Sequence, residues 1–169
     1  MRKLALLAVV MVLLSGCART NINTGGKGYG FEGKRIYTVA VFPPAVAGSI
    51  SPDEAQRDSL YTHLEDCLVL TGRFETVDRV LVETAVDPQK ALSPDEARQA
   101  GKDFGADVVC LAGLTVERVS PPMVRANVDI MPVEGRSPSY KGSGRAGDPA
   151  SWLRAAKLAL DSASAKIVK

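Results

Sequence analysis

The fold of this chain is decided by residues 106–116, which read ADVVCLAGLTV. Almost every position is apolar, whereas a strand with one face in water alternates apolar and polar residues. A nearly continuous apolar run that follows a glycine is typical of a strand buried on both faces. We therefore predict that residues 106–116 form the central strand of a sheet that lies under helices.

Helices and strands alternate on the amino-terminal side of the central strand. Residues 51–54, SPDE, form a capping box with proline at the first helical position, and they predict a helix that ends at Gly72. The apolar stripe of this helix consists of Leu60, Leu64, Cys67 and Leu68. Residues 73–78 predict a short strand, and residues 79–85 predict a short helix. A second capping box at residues 93–96 starts a helix with the inner face Ala97, Ala100 and Phe104.

The first and last elements complete the sheet. Residues 36–42, IYTVAVF, are rich in β-branched and aromatic residues and predict the first strand. Residues 124–130 alternate and predict a strand with one buried face, on which residues 139–144 could pair back as an edge strand. The last helix is capped by Asp148-Pro149 and carries the stripe Leu153, Ala156, Leu160, Ala163 and Ile167. This order predicts an α/β fold with a mixed β-sheet flanked by helices.

The amino terminus carries an export signal. Residues 1–17 read MRKLALLAVVMVLLSGC, in which a basic start, an apolar run and small residues follow the layout of a secretory signal. The apolar run is shorter than the about 20 residues that a membrane-spanning helix needs. The ending Leu14–Cys17 resembles the bacterial lipoprotein box, in which the cysteine is acylated and the preceding peptide is removed. The resemblance implies that Cys17 is the lipidation site and the first residue of the mature chain.

These features divide the chain into three parts: a lipoprotein signal peptide at residues 1–16, a lipidated Cys17 with a flexible tether at residues 17–34, and one α/β domain at residues 35–169. A Gly-rich coil of this length has a root-mean-square reach of about 20 to 25 Å, so the domain stays near the membrane that holds the lipid anchor. Ala18 stands where an aspartate would resemble the inner-membrane retention signal of Gram-negative lipoproteins. We therefore expect the outer membrane, with the domain in the periplasm.

Composition limits the classes of function. The chain has 169 residues with 21 Lys and Arg against 19 Asp and Glu, and removal of the signal leaves 19 of each. Balanced charge implies no nucleic-acid partner. Removal of the first 16 residues leaves 153, which suits one domain with one core. With Cys17 acylated, Cys67 and Cys110 are the remaining thiols, and the sequence leaves open whether they form a disulfide or stay free and buried.

The sequence shows no catalytic constellation. His63 is the single histidine, and no G-x-S-x-G, H-E-x-x-H or C-x-x-C motif occurs. The acidic pairs at residues 65–66 and 95–96 are interpreted as solvated helix faces, the second in a first turn where acids offset the helix dipole. One histidine and two cysteines on apolar faces do not make the usual tetrahedral metal site. We therefore expect no enzyme activity, no catalytic residue, no metal and no cofactor.

Several segments together indicate a family. The chain resembles the bacterial envelope superfamily that includes CsgG, LpoB and the amino-terminal domain of TolB, through RFETVDR at residues 73–79 and ARQAGKDFGADVVCLAGLT at residues 97–115. The first strand of that family is similar to VAVFPP at residues 39–44, and its later hairpin is similar to VDIMPVEG at residues 128–135. The Gly-Ala-Asp and Val-Asp-Arg motifs are interpreted as structural. The resemblance covers most of residues 36–169 and implies a lipoprotein domain that binds other envelope proteins.

The resemblance implies an LpoB-like assembly or activation factor in the cell envelope, with envelope proteins such as a peptidoglycan synthase as partners. LpoB-type proteins usually reach that synthase through a long linker, whereas the tether here is short. The alternative is a ring-forming, CsgG-like secretion subunit. Its membrane part needs strands of about 9 to 11 residues with an apolar face toward lipid. Residues 124–130 fall short of this length, and residues 136–144 have almost no apolar face; whether the chain forms a homo-oligomer stays open.

A candidate partner surface lies in the later hairpin. Arg136 and Tyr140 on the predicted edge strand, with Met123 in the preceding loop, offer the arginine, aromatic and methionine groups that are enriched at interfaces. Trp152, near the start of the last helix, is a further candidate because tryptophan combines a large apolar body with a polar N–H group.

Overall fold

Strands and helices alternate along the chain as an α/β domain. The computed structural model describes residues 36–87, 91–134 and 139–167. The strands are β1 (Tyr37–Val41), β2 (Ala45–Ala47), β3 (Phe74–Thr76), β4 (Val108–Val119), β5 (Pro122–Pro132) and β6 (Tyr140–Gly147). The helices are α1 (Glu54–Val69), α2 (Arg79–Ala85), α3 (Pro94–Asp103) and α4 (Trp152–Ile167). The predicted signal peptide, the tether, Cys17 and Arg136 lie outside the described residues.

The sheet is mixed, and β4 lies at its centre. The strands follow the order β3-β1-β4-β5-β6, and β2 continues beside β4 beyond the end of β1. β1 pairs in parallel with β3 and β4, whereas β4, β5 and β6 pair antiparallel. The predicted central strand is therefore confirmed, and so is the α/β fold with a mixed sheet flanked by helices.

Helices cover the two faces of the sheet unequally. α1 and α4 pack on the first face, where Leu64 and Leu160 join alternate residues of the strands in the larger core cluster. α2 and α3 pack on the second face, in a smaller cluster with Phe42, Val109 and Met131. The rest of the second face, within the described residues, is polar, and we call it the open sheet face: Thr115, Glu117, Arg125, Asn127, Asp129, Lys141, Ser143 and Arg145.

α1 begins two residues later than predicted, because Asp53 and not Ser51 is its N-cap. Asp53 Oδ1 accepts a hydrogen bond from the Gln56 N–H at 2.8 Å, and Gln56 Oε1 accepts one from the Asp53 N–H at 3.1 Å. This reciprocal pair satisfies two backbone donors that a helix start otherwise leaves without partners. The predicted capping box of α3, formed by Ser93 and Glu96, is confirmed.

The antiparallel strands are longer than their sequence patterns. β5 has 11 residues, whereas apolar alternation predicted only residues 124–130. Its additional residues include the terminal prolines, which are tolerated at the ends of a strand. β5 is therefore as long as a membrane-spanning strand, and the prediction that it is too short for a secretion subunit is wrong. β6 ends at Gly147 instead of residue 144, and β2 was not predicted because its 3 residues are too few to show a period.

α4 lies close against β6 because two glycines of that strand face it. A Cβ atom at Gly142 would stand 2.0 Å from Ala163 O, and one at Gly144 would stand 2.1 Å from Ala159 O. Both alanines are fully buried. β6 therefore has glycines where other strands have apolar side chains, which explains why the sequence of this segment shows almost no apolar face.

The Gly-Ala-Asp motif at residues 105–107 and the Val-Asp-Arg motif at residues 77–79 form backbone turns and caps. Gly105 follows α3 with a φ of +70°, a conformation that favours glycine. The Asp107 N–H donates to Thr38 O at 2.8 Å, and Asp107 Oδ2 accepts from the Thr38 N–H at 3.0 Å, so this residue fixes β4 beside β1. Asp78 Oδ1 accepts from the Val80 N–H at 2.9 Å and caps α2. Among the described residues, no helix is long and apolar enough to cross a membrane.

Candidate functional site

A groove opens at the carboxyl end of β1. Its volume is about 740 Å³, and its lining includes Pro43, Pro44, Arg57, Asp58, Tyr61 and Arg79. β1 connects through α1 to β3 on one side and pairs with β4 on its other side, so the direction of the winding reverses between β1 and β4. Binding sites of open α/β sheets usually lie at such a reversal, but this groove lies beside it, between the segment that follows β1 and the helices α1 and α2. We call this feature the β1 groove.

Arg79 ties together the two helices that border the β1 groove. Its guanidinium donates hydrogen bonds to Glu83 Oε1 at 2.7 Å and to Thr62 Oγ1 at 3.0 Å. It also donates to the Asp58 carboxylate. The same group stacks over the Tyr61 ring, with its Cζ atom 4.3 Å from the ring centroid. Because a planar guanidinium can satisfy several partners at once, this network holds α1 and α2 in a fixed relation.

Burial raises the pKa of two acidic groups of α1: Tyr61, which lines the groove, and Glu65, one turn further along the helix. The Tyr61 hydroxyl donates to Val41 O at 2.6 Å, and burial raises the pKa of Tyr61 well above its ordinary value. Burial also raises the pKa of Glu65, which follows one turn later on α1, while the nearby charge of Arg79 opposes the rise. Tyr61 therefore stays protonated, and its hydroxyl can continue to hold the end of β1.

The β1 groove is weakly acidic. Its lining has three carboxylates and two guanidinium groups, which belong to Glu54, Asp58, Glu83, Arg57 and Arg79. Arg79 is paired with Asp58 and Glu83, whereas Glu54 is exposed and Arg57 is half-buried. Sequence reasoning did not find this groove, because its parts come from separate segments that no single motif joins. The one available signal was the Val-Asp-Arg motif, since its arginine is Arg79.

The predicted partner residues do not form one patch within the described part of the chain. Met123 lies near the start of β5, whereas Tyr140 pairs with Ile130 near its end. The two positions are about 24 Å apart along the strand at the rise of an antiparallel strand. Tyr140 and Trp152 are half-buried and pack against the larger core cluster. Arg136 is outside the described residues, so the surface that these residues would share stays a prediction.

The open sheet face is polar and internally paired. Glu117 accepts hydrogen bonds from Arg145 Nε at 2.6 Å and from Arg125 Nε at 2.7 Å. The hydrogen bond from Arg145, with that from Arg125, lowers the pKa of Glu117. Lys141 Nζ lies 3.2 Å from Asp129 Oδ2. Antiparallel sheets commonly leave one face in water, so solvation and cross-strand pairing account for this surface.

Asp129 also borders a second, smaller cavity. This cavity has a volume of about 310 Å³ and lies between Pro43, Leu92 and the strands β4 and β5. Asp129 Oδ1 is buried and has no hydrogen-bond partner among the described residues. A buried oxygen without a partner is costly, so a polar group that entered the cavity would gain a hydrogen bond here.

His63 lies beside a thiol and a carboxylate. Its Nε2 atom is 2.8 Å from Asp161 Oδ1 on α4, and the Cys67 thiol donates to the same oxygen at 3.3 Å. Burial, followed by the hydrogen bond to Asp161, raises the pKa of Cys67 to about 12. In a nucleophilic triad the histidine lies between the thiol and the acid, and the pKa of the thiol is lowered. This cluster has the opposite arrangement, so Cys67 is not an activated nucleophile.

Both cysteines of the domain are free thiols. Cys110 is fully buried in β4, and Cys67 is half-buried on α1. Of the two alternatives that the sequence left open, the structure therefore has the unbonded pair. Burial raises the pKa of Cys110 well above its ordinary value, so this residue behaves as a small apolar side chain.

Comparison with known proteins identifies relatives of the fold. No known protein family matches the sequence, and no curated protein matches it either. Among solved structures, the lipoprotein GNA1162 from Neisseria meningitidis is similar with a TM-score of 0.50 and 18% sequence identity, over 68% of this chain and 82% of that one. The PelC dodecamer from Paraburkholderia phytofirmans is similar with a TM-score of 0.51 and 14% identity, over 75% of this chain and 84% of that one.

The carboxyl-terminal domain of LpoB from Escherichia coli has a lower TM-score of 0.44, with 19% identity over 66% of this chain and 84% of that one. The two higher-scoring matches share fewer than one residue in five with this chain, so the similarity shows the backbone fold alone. The chain therefore has an α/β fold similar to those of GNA1162, which is a lipoprotein, and PelC.

Proposed function

We propose that this chain is a non-enzymatic, lipid-anchored protein of the bacterial envelope that binds another envelope protein and assists its assembly or activation. The β1 groove carries this proposal, because it is a preformed crevice whose walls present proline, Tyr61 and Arg79. Aromatic and arginine side chains are enriched at protein interfaces. The occupant that we propose is an extended, basic segment of the partner.

The anchor is supported by the sequence. Residues 1–17 combine the signal layout with a lipoprotein box, and a lipoprotein is among the proteins with a similar fold. Two or more acyl chains on Cys17 would hold the protein stably, whereas one chain holds only marginally. The proposed location is the inner leaflet of the outer membrane, with the domain in the periplasm.

The chemistry of the β1 groove fits a protein segment better than a small molecule. Small-molecule sites are lined mainly by apolar side chains, whereas this lining is rich in charged groups. Glu54 is an exposed carboxylate, and the lining has one more carboxylate than guanidinium groups, so it would attract lysine or arginine side chains of a partner. Pro43 and Pro44 supply rigid apolar contacts beside them.

The position of the β1 groove also suits an anchored protein. The chain enters the domain through Ile36 at the amino end of β1, whereas Pro43 and Pro44 follow its carboxyl end. Five strand residues span about 17 Å. The groove would therefore lie about one strand length from the point at which the tether joins the domain, and a partner in it would not meet that junction.

The secretion-subunit alternative is not favoured. The apolar face of β5 packs with α4 in the larger core cluster, through Val124, Ala126, Val128 and Ile130. This face could meet lipid only if α4 left it, which would also expose Gly142 and Gly144 of β6. The PelC structure is a dodecamer, so self-assembly is an outcome that the experiment must distinguish.

Site-specific photo-crosslinking of the full-length protein in its native envelope tests the proposal. A crosslinking amino acid at position 57, in place of Arg57, should capture the partner, a protein other than this chain, because this half-buried residue lines the groove. A second substitution, Glu54→Lys, should weaken the capture through charge repulsion. Position 143, in place of Ser143 on the open sheet face, is the matched control and should capture none of that partner.

If positions 123 or 140 capture the partner and position 57 does not, the partner does not bind in the β1 groove, and the interface lies on the β5–β6 hairpin. Crosslinks between copies of this chain alone, in ring-sized assemblies, would contradict the partner proposal and favour the secretion subunit. The anchor is checked separately by mass spectrometry of the amino-terminal peptide. Acylated Cys17 is expected, and the Cys17→Ala protein should lack the acyl chains, keep residues 1–16 and lose the partner.

A further inference from the structure

We propose that His63, Cys67 and Asp161 form a zinc-binding site that joins α1 to α4. His63 and Cys67 are four positions apart on α1, so their side chains project from the same side of the helix, one turn apart. Asp161 comes from α4, which packs beside α1 on the same face of the sheet. The ligand atoms of the three residues lie within 4.8 Å of one another.

The distances are close to those of a tetrahedral site. Zinc bonds nitrogen, oxygen and sulfur at about 2.0 to 2.3 Å, so the donor atoms around one ion stand about 3.3 to 3.8 Å apart. Asp161 Oδ1 is 2.8 Å from His63 Nε2 and 3.3 Å from Cys67 Sγ. Each of these two pairs therefore needs to separate by about half an ångström or less to admit the ion, and the third pair, His63 Nε2 and Cys67 Sγ, lies within 4.8 Å.

The donor set selects the metal. An imidazole nitrogen, a thiolate sulfur and a carboxylate oxygen are the three ligand types that zinc uses in proteins, whereas magnesium and calcium take oxygen. On binding, the Cys67 thiol releases its proton to solvent and the sulfur forms the metal bond. The charge of the ion drives this deprotonation. His63 binds through Nε2, so the proton with which this atom donates to Asp161 leaves it for solvent and the neutral ring keeps its proton on Nδ1; Asp161 exchanges two accepted hydrogen bonds for one metal bond.

A fourth residue supports a thiolate at this position. Ser164 lies one turn after Asp161 on α4 and is buried, and its hydroxyl has no hydrogen bond of ordinary geometry within the described residues. This hydroxyl lies close enough to Cys67 to interact with its sulfur. A metal-bound sulfur would accept a hydrogen bond from Ser164, which satisfies the buried hydroxyl and orients the ligand.

The site is open to solvent on one side. Asp161 is 50% exposed and His63 is 25% exposed, so an ion can enter between them. Three protein ligands leave the fourth tetrahedral position to water or to a donor from another molecule. His63 and Cys67 project from the opposite side of α1 from Asp58 and Thr62, so the zinc site and the β1 groove can be tested independently.

Cobalt is the probe for this site, because a thiolate bound to cobalt(II) gives an intense ultraviolet charge-transfer band. The protein is the full chain in detergent, without a polyhistidine tag and with Cys17→Ala, so that Cys67 and Cys110 are its only thiols. We expect one cobalt ion per chain, displaced by zinc, and a thermal midpoint that rises with zinc. Cys67→Ser should abolish the band.

His63→Gln and Asp161→Asn should each weaken zinc binding more than about tenfold, since loss of an outer-shell partner alone costs that much. Two control variants should keep both the band and the affinity: Cys110→Ala removes the other thiol, and Asp66→Asn removes the exposed acid that precedes Cys67. A band that persists in Cys67→Ser, or a zinc affinity unchanged in His63→Gln and Asp161→Asn, would overturn the site. If the protein that keeps His63, Cys67 and Asp161 binds neither cobalt nor zinc, these three residues form only a hydrogen-bonded cluster, and the proposed zinc site is equally overturned.

Discussion

At the scale of single residues, burial opposes the charge of Glu65, which lies on α1 near Arg79 of the β1 groove. Glu65 is half-buried on α1, and this burial is the largest cause of its raised pKa. Arg79 opposes the rise, but the neighbouring acids Asp66, Glu83 and Asp58 add to it. The folded protein therefore binds a proton at Glu65 more tightly than the unfolded chain does. Ionised Glu65 costs stability, and this cost grows as the pH rises through the folded-state pKa.

Glu65→Gln should accordingly stabilise the protein at neutral pH. The expected gain is about 0.5 kcal/mol or less, because solvent screens a half-exposed group. The gain should vanish below about pH 4, where the glutamate is protonated in both states. Urea unfolding at neutral pH and below pH 4 measures the change in the free energy of unfolding. Glu75→Gln is the control, because Glu75 on β3 is exposed. A gain that is equal at both pH values would show that burial of the charge is not its cause.

At the scale of helices and strands, the sequence predicted the features that depend on contacts between residues close together in the chain. The capping box of Ser93 and Glu96 involves residues within one turn, so the start of α3 could be predicted from sequence. Asp53 and not Ser51 caps α1, because Asp53 and Gln56 exchange hydrogen bonds with each other's backbone N–H groups. The sequence has a capping residue at both positions and does not decide between them. The packing of α4 on β6 depends on glycines, whose meaning appears only when the facing helix is known.

Gly142→Ala should destabilise the protein strongly, because the added Cβ atom would stand 2.0 Å from Ala163 O and 2.8 Å from Ile167 Cγ1. Forced overpacking of this kind costs about 1 to 3 kcal/mol. Gly113→Ala on β4 is the matched control, since a Cβ atom there meets nothing within 4 Å. Thermal unfolding followed by circular dichroism compares the two. Equal midpoints would mean that α4 does not lie as close to β6 as the structure shows.

At the scale of the whole molecule, the sites are assembled from distant segments. His63 and Asp161 are 98 positions apart, so no sequence window contains both. The β1 groove likewise joins residues that follow β1 with residues of α1 and α2. Periodicity, caps and glycines could predict most elements and the sheet class, because each depends on near neighbours. The juxtaposition of side chains could not be predicted, because it depends on how helices pack across the sheet.

The domain should fold without the segment that precedes it. Within residues 36–87, 91–134 and 139–167, backbone pairing begins at Tyr37, whose N–H donates to Arg73 O at 2.9 Å, and Ile36 before it is 50% exposed. Fragments 35–169 and 18–169 should therefore unfold in denaturant with free energies within about 0.5 kcal/mol of each other. If fragment 35–169 were weaker by more than about 1 kcal/mol, residues 18–34 would contribute packing and not only reach.

The place of β1 in the sheet has a mechanical consequence for an anchored protein. A lipid at Cys17 and a partner in the β1 groove would pull this strand along its own axis, from opposite ends. β1 pairs in parallel with β3 on one edge and with β4 on the other. Its hydrogen bonds lie across the direction of such a load, so they would bear it together, in shear, instead of opening one after another. The domain should thus resist force best along the line that joins its anchor to its groove.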